Sequence, residues 1–251
     1  MLSETRYAKI LSILKDNQSA TVKELAEILE ASESTIRRDL NTLHKRKKLE
    51  KVFGGAVINS STFIHTEDKI EAKKKKNIDE KNLIASYAAS LIEDGDCVYI
   101  DAGSTTELII DHIQADQALF VTNCPGHNRK LSLQGFNCIL LGGELRLLTD
   151  ALVGCYALES LQRFNFNKGF FGTNGISIES GFTTSFPTEA SIKSAAIERC
   201  NKAFVLADAS KFGSIAAITF ADIYSVSIIT RHLKDKRYLD HADIFQIEEM
   251  P

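Results

Sequence analysis

Residues Ser32 to Leu40 read Ser-Glu-Ser-Thr-Ile-Arg-Arg-Asp-Leu, and no other stretch narrows the possible folds of this chain as far. The Ser32 hydroxyl suits a helix N-cap, and Glu33 suits the positive end of the helix dipole one turn in. Ile36, Leu40 and Leu43 then recur at helical spacing and predict a core-facing stripe, which leaves Ser34, Thr35, Arg37 and Arg38 on the opposite face. Guanidinium groups on such a face can grip phosphates or pair with guanine edges, and small hydroxyl residues at a helix start allow close approach to a major groove. An ordinary amphipathic helix with a solvated basic face has the same pattern, so its neighbours have to decide.

Upstream, Arg6 to Lys15 predicts a helix with Tyr7, Ile10, Leu11 and Leu14 on one side. After a break at Asn17 to Ala20, Thr21 and Glu24 have capping-box spacing and open a short second helix carrying Val22, Leu25 and Leu29. Ala31 is expected to make the tight turn into the helix from Ser32. Helix, short helix, turn and basic helix is the helix-turn-helix order, whose last member enters the major groove. Downstream of the basic run Lys45-Arg46-Lys47-Lys48, residues 49 to 58 place short apolar strands around Gly54-Gly55, which predicts a wing. Lys48 and Lys51 there can reach phosphates, which adds affinity and salt dependence without sequence information.

The net charge of −3 argues against a polyanion-binding protein only when averaged over all 251 residues. Residues 1 to 58 hold 11 Lys and Arg against 8 Asp and Glu, a net +3, and the remainder is therefore −6. A basic head on an acidic body is the distribution expected if the head alone meets DNA. The length favours two domains, and no long apolar run suggests a membrane span or a secretory signal, so a cytoplasmic location is expected. The five cysteines, at 97, 124, 138, 155 and 200, form no close pairs. No disulfide or metal framework follows, and no cofactor is expected.

We read residues 1 to 58 as a DNA-binding domain, 59 to 78 as a linker running into a charged connector, and 79 to 251 as a second domain. The lysine run at 73 to 76 offers a further DNA contact or a solvated face, and the solvated face is the commoner outcome. From Asp79 onward helices alternate with short apolar strands at Cys97 to Ile100, Leu119 to Thr122, Ile139 to Leu141, Phe170-Phe171 and Phe204 to Ala207. Such alternation predicts an α/β fold with a mainly parallel sheet. Ligands of parallel sheets bind beyond the carboxyl ends of the strands. That rule selects Asp101, Gly103, Ser104, Thr105 and Thr106, then Asn123 and Asn174, and finally Lys211. Glu189 and Lys193, four apart, share a helix face, where a surface ion pair is the plain alternative to a ligand site.

The signature spacing of Arg6, Ile10 and Leu14 with Ser32, Thr35, Ile36, Arg37, Arg38, Asp39 and Leu40 resembles the DeoR family of bacterial transcriptional regulators. The resemblance extends over nearly the whole chain. It implies a winged helix-turn-helix in front of an α/β sensor domain similar to ribose-5-phosphate isomerase. It implies that Gly103 to Thr106 hold the phosphate of a sugar phosphate, with Asn123, Asn174, Thr184, Glu189, Lys193 and Lys211 around the remainder. Two stretches depart from the family pattern. The proline in Cys124-Pro125-Gly126-His127 is expected to delay the next helix, and Thr184-Ser185-Phe186-Pro187 is less polar than expected. Asp39 either orients a neighbouring arginine or is solvated.

Two functions follow. One is a repressor of a sugar operon that binds double-stranded operator DNA as a dimer or tetramer, with affinity set by a sugar phosphate. The other is a sugar-phosphate isomerase with Glu189 as base and Lys211 as electrostatic partner. An isomerase needs poised acids and bases, and Gly172-Thr173-Asn174-Gly175 carries no acid. Likeness to members that control fructose utilisation in Gram-positive bacteria implies fructose 1-phosphate as effector.

Overall fold

The computed structural model describes residues 2–17, 19–46, 48–57, 62–64 and 67–247. Its contacts divide into two units, Met1–Ser61 and Thr62–Pro251. Gln18, Lys47, residues 58 to 61 and residues 65 and 66, which fall in the expected break after the first helix, the basic run, the end of the wing and the linker, lie outside the described residues.

The first unit runs α1 (Ser3–Asn17), β1 (Ser19–Thr21), α2 (Val22–Ile28), α3 (Glu33–Lys45), β2 (Glu50–Val52) and β3 (Gly55–Val57). Ile10 and Leu14 of α1, Leu25 of α2, and Ile36, Leu40 and Leu43 of α3 close one core, each fully buried or nearly so. Both predicted caps form. The Thr21 side chain accepts from the Glu24 N–H while the Glu24 carboxylate accepts from the Thr21 N–H, and Ser32 Oγ accepts from the Thr35 N–H at 3.2 Å. The turn between α2 and α3 differs from expectation. Its left-handed residue is Glu30, with φ 49°, and Ala31 instead donates its N–H back to the Ala26 carbonyl. This returning bond satisfies an orphan carbonyl at the helix end.

The three strands pair antiparallel in the order β1-β3-β2. The two wing glycines answer to different constraints. Gly54 has φ +82° at the turn with open space around it, whereas a Cβ on Gly55 would lie 2.4 Å from the Ala20 carbonyl oxygen of β1.

The second unit opens with β4 (Thr62–Phe63) and α4 (Ile70–Lys74), then α5 (Ile78–Ser90) and β5 (Cys97–Ile100). Residues 62 to 64 and 67 to 78, expected as linker and connector, therefore carry structure of the second unit. The lysine run is not simply solvated: Lys73 pairs with Glu67, Lys74 with Glu107 and Glu71, and Lys76 with Asp68.

Next come α6 (Thr106–Ile109), β6 (Leu119–Thr122), α7 (Pro125–Leu133), β7 (Asn137–Leu140), β8 (Glu144–Arg146), β9 (Ala151–Val153) and α8 (Cys155–Leu161). Pro125 is the first residue of α7, where a missing N–H costs nothing, so the expected delay of that helix does not occur. The unit closes with β10 (Phe166–Gly172), β11 (Gly175–Ser177), β12 (Gly181–Thr184), α9 (Pro187–Glu198), β13 (Cys200–Leu206), β14 (Ser214–Ile215), β15 (Ile218–Ala221), β16 (Ser227–Thr230) and β17 (Ile244–Gln246).

Seven of these strands form a parallel sheet in the order β17-β16-β13-β10-β5-β6-β7. Alternate residues feed two cores: Tyr99, Val121, Phe171, Val205 and Ile228 enter one, and Val98, Ile100, Phe120, Phe170, Phe204 and Ile229 enter the other. A sheet covered on both faces explains why its strands read as apolar runs instead of alternating patterns. Strand order reverses between β5 and β10. After β5 the chain builds outward to β6 and β7, and after β10 it builds the other way. The carboxyl ends of this pair flank a crevice at the topological switch point, the place where ligands of such sheets bind.

Candidate functional site

In the first unit, α3 presents Ser34, Arg37 and Arg38 as exposed side chains and Thr35 as a half-buried one. Ser32 Oγ lies 3.0 Å from Ser34 Oγ and 2.9 Å from Thr35 Oγ1, a tight hydroxyl cluster at the helix start. Arg37 forms an exposed ion pair with Glu33 at 3.0 Å, while the Arg38 guanidinium has no partner among the described residues. Lys48 is exposed, and Lys51 donates to Asn41 Oδ1 at 2.7 Å.

Asp39 settles the choice left open by the sequence. It is buried and binds Arg6 of α1, with NH2 to Oδ1 at 3.0 Å, and so braces α3 against α1 instead of steering Arg37 or Arg38. Phe53, at the wing turn, is completely exposed.

In the second unit a cavity of about 640 Å³, counting the space at its open mouth, occupies the switch-point crevice. It is lined by Asp101, Gly103, Ser104, Thr105, Asn123, Asn174, Thr184, Glu189, Lys193 and Lys211. Thr106 is the one expected residue that stays out: it is fully buried, and its hydroxyl bonds the backbone carbonyls of Asp101 and Gly103 at 2.7 and 3.0 Å, which shapes the loop.

Asp101, just past β5, is buried and accepts from the Gly172 N–H at 3.1 Å and from Lys193 Nζ. Lys193 also donates to the Gly172 carbonyl at 3.1 Å, so one lysine of α9 ties the ends of β5 and β10 together. Asn123, past β6, accepts from the Ala102 N–H at 3.0 Å and donates to the Leu152 carbonyl at 3.2 Å. Glu189 and Lys193 do not pair as a surface bridge. Both are buried, and Glu189 instead accepts from Thr149 at 2.6 Å and Thr184 at 3.3 Å and faces Arg146 at 3.3 Å. Burial raises the Glu189 carboxyl above its ordinary range, against the Thr149 hydrogen bond and the Lys193 charge. The Arg146 guanidinium lies over the Phe186 ring, 3.2 Å from its centroid, which gives that unexpectedly apolar residue a packing partner beside Glu189.

The glycine-bearing loop after Asp101 offers donors. The N–H groups of Gly103, Ser104 and Thr105 meet no acceptor among the described residues. Opposite charge is at hand in Lys211, whose ammonium forms no hydrogen bond or ion pair among the described residues and whose pKa is lowered by burial against the pull of Asp208. Behind the loop His127 is buried and held neutral, its pKa lowered to about 3 by burial, with the Gly103 carbonyl opposing. Lys81, a buried residue with no sequence signal, donates to Ser104 Oγ at 3.0 Å and to the Lys73 carbonyl at 2.6 Å. Also missed were Glu67, Ile70, Lys73, Thr149 and Thr173. Of these only Thr173 had a signal, as the residue after a strand end. Among the described residues no cluster of His, Cys, Asp and Glu could hold a metal ion, and no helix is long and apolar enough to cross a membrane.

A helix-turn-helix unit followed by a doubly wound sheet with a polar cavity at its switch point is the layout of a ligand-responsive DNA-binding regulator. Family models agree on both parts: a DeoR-like helix-turn-helix domain matches residues 6–62, and a DeoR C terminal sensor domain matches residues 76–232. The chain belongs to the DeoR family of transcriptional regulators. It is 42% identical to the uncharacterized HTH-type transcriptional regulator FruR of Bacillus subtilis, over 97% of this chain and 96% of that protein. It is 33% identical to the lactose phosphotransferase system repressor of Streptococcus mutans, over 94% and 93% of the two chains. A ribose 5-phosphate isomerase A from Methanocaldococcus jannaschii shares 15% identity over 55% of each chain with a TM-score of 0.40, a partial likeness that says nothing about catalysis.

Proposed function

We propose that the chain represses a sugar uptake or catabolism operon, binding its operator through Ser32, Ser34, Thr35, Arg37, Arg38, Lys48 and Lys51 and losing or gaining affinity when a phosphorylated sugar fills the cavity. One observation carries the ligand class: a loop with unsatisfied N–H donors at Gly103 to Thr105 shares a cavity with the unpaired ammonium of Lys211, a combination suited to a phosphate. Asn123, Asn174, Thr184, Glu189 and Lys193 supply polar groups for the carbohydrate. The name of the lactose phosphotransferase system repressor supports a sugar context, and fructose 1-phosphate is the effector we favour. The protein acts in the cytoplasm as a dimer or tetramer, whose symmetry matches two spaced half-sites.

Regulation requires only that the ligand bind two states with different affinity, and it needs no catalytic group. The raised carboxyl of Glu189 would also serve a proton-transferring isomerase. The test is fluorescence anisotropy on DNA upstream of sugar-uptake genes, titrated with fructose 1-phosphate and other hexose phosphates. Lys211→Ala is expected to keep DNA binding and lose the response, and Arg37→Ala to weaken DNA binding while still binding the sugar phosphate. Steady turnover of a sugar phosphate that disappears in Glu189→Ala would install the isomerase instead.

A further inference from the structure

Three side chains of the cavity wall, Glu67, Ile70 and Lys73, come from the stretch that directly follows the first unit, and Glu67 lies only six positions beyond Ser61. This stretch is docked at several points. The Ile70 N–H donates to the Leu148 carbonyl at 3.1 Å, the Lys73 carbonyl accepts from Lys81 Nζ, and Lys73 Nζ reaches Asn174 Oδ1 at 3.3 Å.

The Glu67 side chain is 2% exposed. Its two oxygens are in different situations. Oε1 accepts from Lys73 Nζ and, at 3.1 Å, from Asn174 Nδ2. Oε2 is buried and accepts from nothing among the described residues. A buried carboxylate oxygen without a donor is costly, and native proteins rarely leave one so. Glu189, the cavity's other glutamate, has hydrogen-bond donors on both oxygens, so Glu67 Oε2 is the acceptor left over. Its charge repels phosphate, and only a donor can satisfy it.

We infer that Glu67 Oε2 accepts a hydroxyl of the carbohydrate part of the effector, and that this bond fastens residues 67 to 74 when the cavity is occupied. The inference rests on the sugar-phosphate reading above and assigns it a specificity residue and a route to the first unit: ligand occupancy is registered on the chain segment that enters the second unit from the DNA-binding one.

The experiment is calorimetric titration of the full chain with fructose 1-phosphate, fructose 6-phosphate, glucose 6-phosphate and inorganic phosphate, for wild type, Glu67→Gln and Glu67→Ala. It is joined by hydrogen–deuterium exchange over residues 67 to 76. Loss of a charged hydrogen bond predicts that Glu67→Ala weakens the best hexose phosphate by roughly tenfold to a hundredfold, and Glu67→Gln by less, with phosphate binding changed by under about threefold. Exchange over residues 67 to 76 should slow on hexose phosphate binding in wild type and not in Glu67→Ala. If hexose phosphate and inorganic phosphate weaken together, or neither weakens, Glu67 is scaffolding and the inference is overturned while the cavity assignment stands. A wild type that binds none of the four probes overturns the cavity assignment and this inference with it.

Discussion

The two units place their functional groups in opposite ways. In the first, the DNA-facing candidates are exposed apart from the half-buried Thr35, and most stand on one continuous helix whose inner face is a separate apolar stripe. In the second, the ligand-facing groups are largely buried and come from separate strand ends and a helix, where side chains such as Asp101, Asn123 and Lys193 also hold the architecture together. Function and stability are therefore separable in the head and entangled in the sensor, and substitutions in the two units should fail in different ways.

The largest effect on stability is expected from Lys193→Ala. It leaves Asp101 buried without its cation, a change that typically costs about 3–5 kcal/mol. Chemical denaturation should show the second unit unfolding at much lower denaturant. A variant of near wild-type stability would mean that Asp101 is not held as a carboxylate in an ion pair, and the entanglement would be disproved at its centre.

Gly55→Ala tests the head where it is least tolerant. The added methyl meets the Ala20 carbonyl oxygen, and overpacking of that kind costs about 1–3 kcal/mol, whereas exposed sites of α3 should tolerate substitution. Thermal unfolding of the first unit reads the difference.

The pH dependence of the second unit sharpens the contrast through Lys81. Burial lowers its pKa to about 8, with Asp208 opposing and Lys211, Lys73 and Lys76 adding to the shift. Between that value and the unfolded 10.5 the unfolded chain binds the proton that the folded chain does not. Stability contributed by this group must therefore rise with pH across that window. The unfolding free energy of wild type minus that of Lys81→Met, measured from pH 7.5 to about 10.5, should rise with pH, a comparison in which the buried thiols that titrate in the same window cancel.

Arg37→Ala should move stability least, within about 0.5 kcal/mol, because its partner Glu33 is an exposed neighbour on the same helix. Its DNA affinity should nevertheless fall by roughly 1–3 kcal/mol if Arg37 reads a base edge, and the salt slope should shrink by about one if it holds a phosphate. Anisotropy at several salt concentrations distinguishes these, and an unchanged affinity and slope would remove Arg37 from the interface.

Legibility in the sequence followed the same division. The head could be read because its determinants are local: a cap and the residue it caps lie three positions apart, and a helical stripe repeats within two turns. What escaped there was also decided by packing. Glu30 takes the left-handed turn because Ala31 is drawn back to Ala26, and Asp39 reaches Arg6, thirty-three residues away. In the sensor the strand-end rule found Asp101, Asn123, Asn174 and Lys211, because chain order at a parallel sheet places such ends together, whereas Thr184, Glu189 and Lys193 lie on an antiparallel strand and a helix and were reached through the family resemblance. The rule missed Glu67 and Lys73, which read as part of a charged connector, and Lys81, which lies in no strand end.

By itself the sequence determined the helix-turn-helix head, the alternating α/β body and the classes of residue at the strand ends, since periodicity, capping and apolar runs are properties of neighbours along the chain. Only the tertiary structure decided that Lys193 pairs with Asp101 and not with Glu189, that Thr106 serves the loop and not the cavity, and that Glu67 closes one wall. Those choices depend on which groups are driven out of water together, and a buried charge takes the partner that the packing brings to it, however distant along the chain.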